Sequence, residues 1–478
     1  MRLYGAATMS LSNSDIIAAL TAIAGPSGVV ADAADMGPYL NEPRKRFRTP
    51  AVAVASPASV AELQAICRWA NDNRVGLIPQ GGNTGLVGAQ VPLTGSEVIV
   101  SLRRLDKVRE VNAAAGHMTL EAGVILEEAH RVAEAAGALF PLWLASQGSA
   151  RIGGVLSSNA GGVQVLAYGN ARELTLGIEA VLADGRLYNG LNSLRKDNTG
   201  YDLRDLLVGA EGTLGFITAA TLKLFPVPEA QETALVNVAS PAVALELFGV
   251  LRGRVGTQLT AFELMNRFGI DLQLRHGMLT RDPTASPSPW YVLAEVSRPK
   301  GGTPGALQAA LEEALGSGLV PDAVVAESEA DRVAMWSARE QMSDVQSKEG
   351  ASIKHDVSVP IGAVPELLEA GTAAVERAIP GVRACPFGHM GDGNIHFNFT
   401  QPEGADPKAF MAREKDANAA VYDVVRRLGG SVSAEHGIGQ LKTALLREVK
   451  DPVALEMMRA IKTALDPNGI LNPGKMLG

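Results

Sequence analysis

The chain has 478 residues, 46% of them apolar, which excludes one compact core and suggests two substantial domains. A formal charge of −8 excludes nucleic acid or an anionic membrane as the main partner, while leaving room for a local basic patch to dock something acidic. Cys67 and Cys385 stand far apart in no metal-type spacing, which excludes a disulfide framework and favours a reducing compartment. No apolar run approaches the ~18–20 residues needed to span a bilayer. The opening MRLYGAATMSLSNSDIIAAL does not read as a secretory signal. The expectation is a cytoplasmic protein without a transmembrane segment, peripheral attachment to an inner membrane being left open; Met9 is an alternative start to Met1.

In chain order, residues 1–45 read as an N-terminal helical extension. Val52–Val54 is a short strand, and Ser59–Asn71 repeats apolar residues at helical spacing. Ser59 stands at the N-cap position, with Glu62 three residues on as a capping box. Val75–Ile78 is the next strand, and it runs into the glycine-rich loop PQGGNTGLVGAQVP (79–92). A second such region, GSARIGGVLSSNAGGVQVLAYGN (148–170), follows a long helix. Ile178–Leu182, the Asp184-Gly185 turn and Arg186–Tyr188 predict a hairpin. EGTLGFITAATLKLFP (211–226) is a turn feeding a β-rich segment, and Pro226 and Pro228 mark a boundary.

Glycine-dense loops let several backbone N–H groups approach a phosphate together, because no Cβ blocks the way. The first loop adds Asn83 and Thr84 as side-chain donors; the second adds Ser149, Ser157 and Asn159. One such loop is most simply a set of turns, whereas two in one domain point to a large diphosphate-bearing cofactor. Neither fits G-x-x-x-x-G-K-[S/T], nor a strand–GxGxxG–helix unit with an acidic residue at the distance a nicotinamide dinucleotide needs. On residues alone the reading stops at a pyrophosphate binder.

The second half interleaves helices, such as Ala330–Ser347 and Pro365–Ala378, with strands such as Trp290–Val296 and Ile395–Phe399; RDPTASPSP (281–289) is loop-like. In the helix, Arg339 and Ser343 are four residues apart and share a face. SIKHDVSVP then alternates like a strand, with Lys354 near its start. Arginine and lysine beside a hydroxyl suit a carboxylate. Of seven histidines, three occupy unusual contexts. In GHMGDGNIHFNF, His396 and Asn398 alternate onto a polar face, opposite Ile395, Phe397 and Phe399. His389 lies across a Gly-Asp-Gly turn that can fold it back beside them. In SAEHGIGQLK, Glu435 and His436 precede two glycines that permit a close backbone approach. His389, His396 and Glu435 form a His₂Glu donor set for a divalent metal with open coordination positions; zinc is the first expectation, with manganese, cobalt or iron alternatives. His436 is left as the general base.

Four motifs, PQGGNTGLVGAQ, IGGVLSSNAGG, DNTGYDLRDLLVGAEGTLGFIT and the terminal NPGKML, resemble in that order the FAD-binding fold shared by vanillyl-alcohol oxidase and p-cresol methylhydroxylase, specifically its D-2-hydroxyglutarate and D-lactate dehydrogenase branch. The resemblance implies an α+β protein with a two-part FAD-binding domain (46–226), an α+β substrate or cap domain (227–430) and a C-terminal segment (431–478) returning to the flavin. It places non-covalent FAD against Pro79, Gly81, Gly82, Asn83, Thr84 and Gly85, with Gly148, Ser149, Gly153, Gly154, Ser157, Asn159, Gly161 and Gly162 from the second loop. Glu211, Gly212 and Ile217 close that site, and Asn472 returns to it. Arg339, Ser343, Lys354 and Asn398 fall on substrate-contact positions, Ser343 standing where threonine is usual, and His389, His396 and Glu435 on metal positions. The implied reaction is oxidation of a D-2-hydroxy acid to its 2-oxo acid by hydride transfer to flavin N5. Lys354 beside Arg339 favours D-2-hydroxyglutarate over D-lactate or D-malate, since an unpaired lysine in a closed pocket is costly. A metal-dependent hydrolase leaves both glycine loops unexplained; a flavin-fold protein using its flavin without net redox chemistry is the other alternative. The electron acceptor, an electron-transferring flavoprotein or a quinone, and the oligomeric state, a homodimer among the options, are not legible.

Overall fold

Residues 11–478 are described by a computed structural model; residues 1–10, with the alternative start Met9, lie outside them. The first helix, Asn13–Ala24, begins at Ser12, whose hydroxyl accepts the Asp15 N–H while the Asp15 carboxylate accepts the Ser12 N–H. Ile16 and Leu20 on its inner face join the same core as Leu63, Ile66, Leu77 and Val98. The expected extension is therefore part of the first unit rather than a segment apart.

Contacts divide the chain into two units. The first comprises residues up to Ala160, then Asn170–Phe225 and His436–Gly478; the second comprises Gly161–Gly169 and Pro226–Glu435. Two differences from the expected boundaries follow. Residues 161–169 belong with the second unit because helix Val165–Tyr168 packs on its strand Leu259–Asn266 and Val163 packs into its apolar core. The final crossing falls between Glu435 and His436, not at 430.

In the first unit, helix Val60–Asn73 buries Leu63, Ile66, Cys67 and Ala70, the stripe that helical periodicity demands. Ser59 caps it by accepting the Glu62 N–H, but the Glu62 carboxylate takes the Ala58 N–H, so the capping box is displaced by one residue. The Val75 N–H bonds back to the Ala70 carbonyl, and the next strand starts at Leu77 instead of Val75. That strand, Leu77–Gln80, lies at the end of a four-stranded sheet, parallel to Val98–Ser101. On its other side Leu77 exchanges backbone bonds with the C-terminal tail: its N–H donates to Ile470, and its carbonyl accepts the Asn472 N–H. The tail thus docks immediately before the first glycine loop. A five-stranded antiparallel sheet contains the expected hairpin, Thr175–Val181 with Leu187–Asn189.

The second unit is built on an eight-stranded sheet whose pairings are antiparallel. Strand Leu259–Asn266 pairs with Arg383–His389, which pairs with Asn394–Thr400. Ile395, Phe397 and Phe399 are fully buried on one face, as the alternation requires. Two expected continuities are broken. The helix over 330–347 stops at Glu340 and restarts at Met342, with Gln341 capping both pieces, so Arg339 and Ser343 do not share one regular face. The SIKHDVSVP strand splits into Ser352–Ile353 and Asp356–Ser358 around Lys354 and His355, both pieces pairing with Asn394–Thr400. His355 is held by the Phe397 carbonyl and Asn418, a structural role.

Candidate active site

The first unit contains a cleft walled by both glycine-rich loops. Pro79–Gly85 forms one wall and Gly153, Gly154, Ser157 and Ser158 another; Glu211, Ile217 and His436 also line it. The two glycine loops meet backbone to backbone. A Cβ on Gly82 would stand 2.0 Å from the Ser149 carbonyl oxygen, so only glycine permits this approach. By contrast, a Cβ on Gly154 would meet nothing nearer than the Gly81 Cα at 3.9 Å.

Glu211 anchors the segment after His436. Its backbone is left-handed at φ 50°, unusual for a glutamate. Its carboxylate accepts the Ile438 N–H at 2.6 Å and the Gly439 N–H at 2.7 Å, and its carbonyl accepts Asn472 Nδ2 at 2.7 Å. Gly437 has φ 79°, and a Cβ there would lie 2.5 Å from Glu211 Oε1, which explains the glycine directly after His436. Burial pushes the Glu211 carboxyl above its ordinary range, against the pull of these N–H groups and of Lys442 and Lys475.

In the second unit, one face of the sheet assembles charged groups. Ligand atoms of His389, His396 and Glu435 all lie within 4.8 Å of one another, and His389 Nε2 is 3.8 Å from Glu435 Oε1. His389 Nδ1 bonds Glu263 Oε1 at 2.8 Å, and Arg339 Nε donates to Glu263 Oε2 at 2.7 Å. The Arg339 guanidinium also lies over the Phe387 ring, whose cross-strand partner is His396. Burial alone would raise the Glu263 carboxyl, but His389 and Arg339 pull it down to about 2. Burial would likewise lower His389, yet Glu263 lifts it to about 9. Burial pushes Glu435 upward, and the nearby Asp356 and Asp392 add to the rise. Asp356 in turn accepts the Glu435 N–H and Asn394 Nδ2, each at 2.9 Å, fixing where Glu435 stands.

Residues 51–190 match the family model described as an FAD binding domain, and residues 227–476 match that of the FAD linked oxidases, C-terminal domain. The chain belongs to the FAD-linked oxidase family. It is 36% identical over 443 residues to D-2-hydroxyglutarate dehydrogenase of Xanthomonas citri pv. viticola, covering 93% of each chain. It is also 36% identical over 472 residues to the mitochondrial D-2-hydroxyglutarate dehydrogenase of Bos taurus, covering 98% of this chain and 84% of that one. A crystal structure of p-cresol methylhydroxylase with substrate bound superposes with TM-score 0.76 over 97% of this chain and 96% of that one, at 16% identity, a likeness of fold. The α+β architecture, the FAD and the oxidoreductase class expected from the motifs are borne out.

The cleft suits this family's flavin. Asn83 Oδ1 and Gln90 Oε1 are buried acceptors on its wall that have no partner within the described protein, and FAD brings hydroxyl and amino donors. Not every residue singled out from the motifs faces the cleft. Ser149 backs Gly82, Gly212 packs on Pro79, and Asn159 Oδ1 accepts the Arg172 N–H. Asn472 reaches Glu211 instead, Gly148 is off the cleft wall, and Gly161 and Gly162 fall in the second unit. The Asn83 amide nitrogen, expected as a phosphate donor, is engaged by the Pro38 and Asn41 carbonyls, and the Ser157 hydroxyl donates to the Gly153 carbonyl.

Lys354 Nζ donates to Ser343 Oγ at 2.9 Å and to the Ser343 carbonyl at 3.2 Å, so these two substrate candidates meet despite the helix break. Asn398 is buried, and its cross-strand partner is Cys385, on which Lys354 exerts a field. Arg151 and Glu263 are functional candidates that the sequence reading passed over. Arg151 lines the cleft, and its Nη1 donates to the Gly123 carbonyl. Glu263 had a signal: it is the single charged residue in the strand LTAFELMN, a position that charge occupies only when paired.

Proposed function

We propose that this enzyme oxidises D-2-hydroxyglutarate to the 2-oxo acid. Its FAD is held non-covalently by the glycine-rich cleft, and a divalent metal, zinc by first preference, by His389, His396 and Glu435. The observation that carries the reading is the single sheet face in the second unit on which His389 and His396 stand beside Glu435, Glu263 and Arg339. The names of the relatives support the substrate. The donor set suits a metal: Glu263 occupies His389 Nδ1, which directs Nε2 toward Glu435, the arrangement that carboxylate-oriented histidine ligands use. A bound divalent ion would supply Lewis acidity at the 2-hydroxyl and its neighbouring carboxylate. Bound FAD supplies the two-electron hydride acceptor.

The chain's own groups do the rest. His436 receives the hydroxyl proton, acting as the general base. Arg339 and Lys354 hold the distal carboxylate, Ser343 and Asn398 adding hydrogen bonds, and two cations match a diacid better than a monoacid. Reoxidation falls to a separate carrier, an electron-transferring flavoprotein or a quinone.

The test is the rate of flavin reduction with a panel of D-2-hydroxy acids, before and after exhaustive chelation. D-2-hydroxyglutarate should lead D-malate and D-lactate, and chelation should slow it. Full activity with metal shown absent would exclude the metal's role. A His436→Ala protein that reduces its flavin at the normal rate would exclude the base.

A further inference from the structure

Glu263 lies mid-strand in Leu259–Asn266, directly opposite His389, and is 1% exposed. A glutamate buried this deeply is retained only where its charge has partners. It has two, and each uses a separate oxygen: His389 Nδ1 at Oε1 and Arg339 Nε at Oε2. The first interaction fixes a proton on Nδ1 and leaves Nε2 as the ring nitrogen facing Glu435. The second takes the Nε edge of the guanidinium and fixes its plane over Phe387, so that its Nη groups are the donors left for an anion.

We propose that Glu263 is a positioning residue that sets the metal ligand His389 and the carboxylate-binding Arg339 at once, so that metal affinity and preference for a diacid depend on the same carboxylate. The inference rests on the function proposed above. It goes further in making one residue, outside the ligand and substrate sets, control two properties usually assigned to separate groups. A purely structural ion pair would stabilise the sheet without moving either property in proportion.

The test uses the FAD-loaded enzyme and its Glu263→Gln form. Glutamine keeps the shape, but its single carbonyl oxygen accepts from only one partner and its NH₂ faces the other. Zn(II) affinity is measured by competition with a chelator, and selectivity as the ratio of kcat/KM for D-2-hydroxyglutarate to that for D-lactate. Zn(II) affinity should fall about 10- to 100-fold, the range for losing a ligand-orienting partner. The selectivity ratio should collapse at least about tenfold, as loss of a charged hydrogen bond predicts. Arg339→Lys should shift selectivity while leaving Zn(II) affinity little changed. If Glu263→Gln fails to fold, Glu263→Asp, which keeps the charge but falls short by a methylene, should show the same paired loss. Loss of one property alone, or of neither, overturns the bridging role. A wild-type enzyme that binds no divalent metal overturns the proposed function and this inference together, whereas tight wild-type binding with unchanged variant affinity overturns this inference only.

Discussion

Gly82→Ala and Gly154→Ala separate two ways in which a methyl group can damage the cleft. At Gly82 the new Cβ stands 2.0 Å from the Ser149 carbonyl oxygen, so the loops must part by about 1 Å to restore even a 3.0 Å approach. Overpacking of this kind costs roughly 1–3 kcal/mol. Because the displaced loop is also a cleft wall, FAD affinity should fall roughly 5- to 150-fold if that energy appears in binding. The flavin-free protein should melt lower as well, by roughly 2–4 °C per kcal/mol for a unit of this size. At Gly154 the added Cβ makes only an ordinary contact, with the Gly81 Cα at 3.9 Å, and sits within helix Ile152–Ser157, where replacing glycine by alanine stabilises by about 0.5–1 kcal/mol. Gly154→Ala should therefore keep or raise the flavin-free melting point yet weaken FAD, since the methyl enters the cofactor's space. Titration of flavin-free protein with FAD, followed by the visible flavin spectrum beside thermal melts, reads both. If Gly82→Ala matches wild type in affinity and melting point, the loop-to-loop contact is not what shapes the cleft.

Three further outcomes follow from particular contacts. Glu211→Gln leaves one of the Ile438 and Gly439 N–H groups facing an NH₂, at a cost of about 1–3 kcal/mol; flavin reduction should slow while FAD content is retained, and an unchanged rate would deny the anchor. Lys354→Met should lower kcat/KM for D-2-hydroxyglutarate roughly 10- to 100-fold, the loss expected of one charged hydrogen bond, and barely affect D-lactate; equal losses on both substrates would remove Lys354 from the distal site. Glu349, though burial alone would raise it, is held at about 2 by Arg383, His276 and Arg275. Its folded pKa lies below the unfolded value, so its stabilisation is present at neutral pH and is lost as pH falls from about 4.5 toward 2. Urea unfolding should show Glu349→Gln roughly 1–2 kcal/mol weaker at pH 7, with the gap clearly narrower at pH 3; a constant gap would contradict the linkage.

Much of the fold is legible because local patterns coincide with tertiary demands. The alternation over Asn394–Phe399 has one face against apolar core and another among polar groups, so the period-two signal survives folding. The glycine loops are legible for a related reason, since backbone approach leaves a mark in residue type. What escaped depends on long-range partners. Glu263 is 126 residues from His389 in sequence, and nothing local says that they meet. The Gln341 break keeps helical spacing on both sides, so periodicity does not mark it. Glu211 reads as cofactor-binding from its motif, yet its carboxylate is taken up by a loop more than two hundred residues away. Residues 161–169 continue the second glycine-rich region smoothly, and only their packing on Leu259–Asn266 assigns them elsewhere.

The central claim is that bound flavin is reduced by a D-2-hydroxy diacid. Anaerobic mixing of the metal-loaded enzyme with D-2-hydroxyglutarate, followed in the flavin's visible absorption band, tests it most directly. Rapid bleaching, with 2-oxoglutarate formed in equal amount and much slower bleaching by D-lactate or L-2-hydroxyglutarate, is the predicted result. An absorption band that persists with D-2-hydroxyglutarate, in protein shown to hold both FAD and metal, would contradict the account.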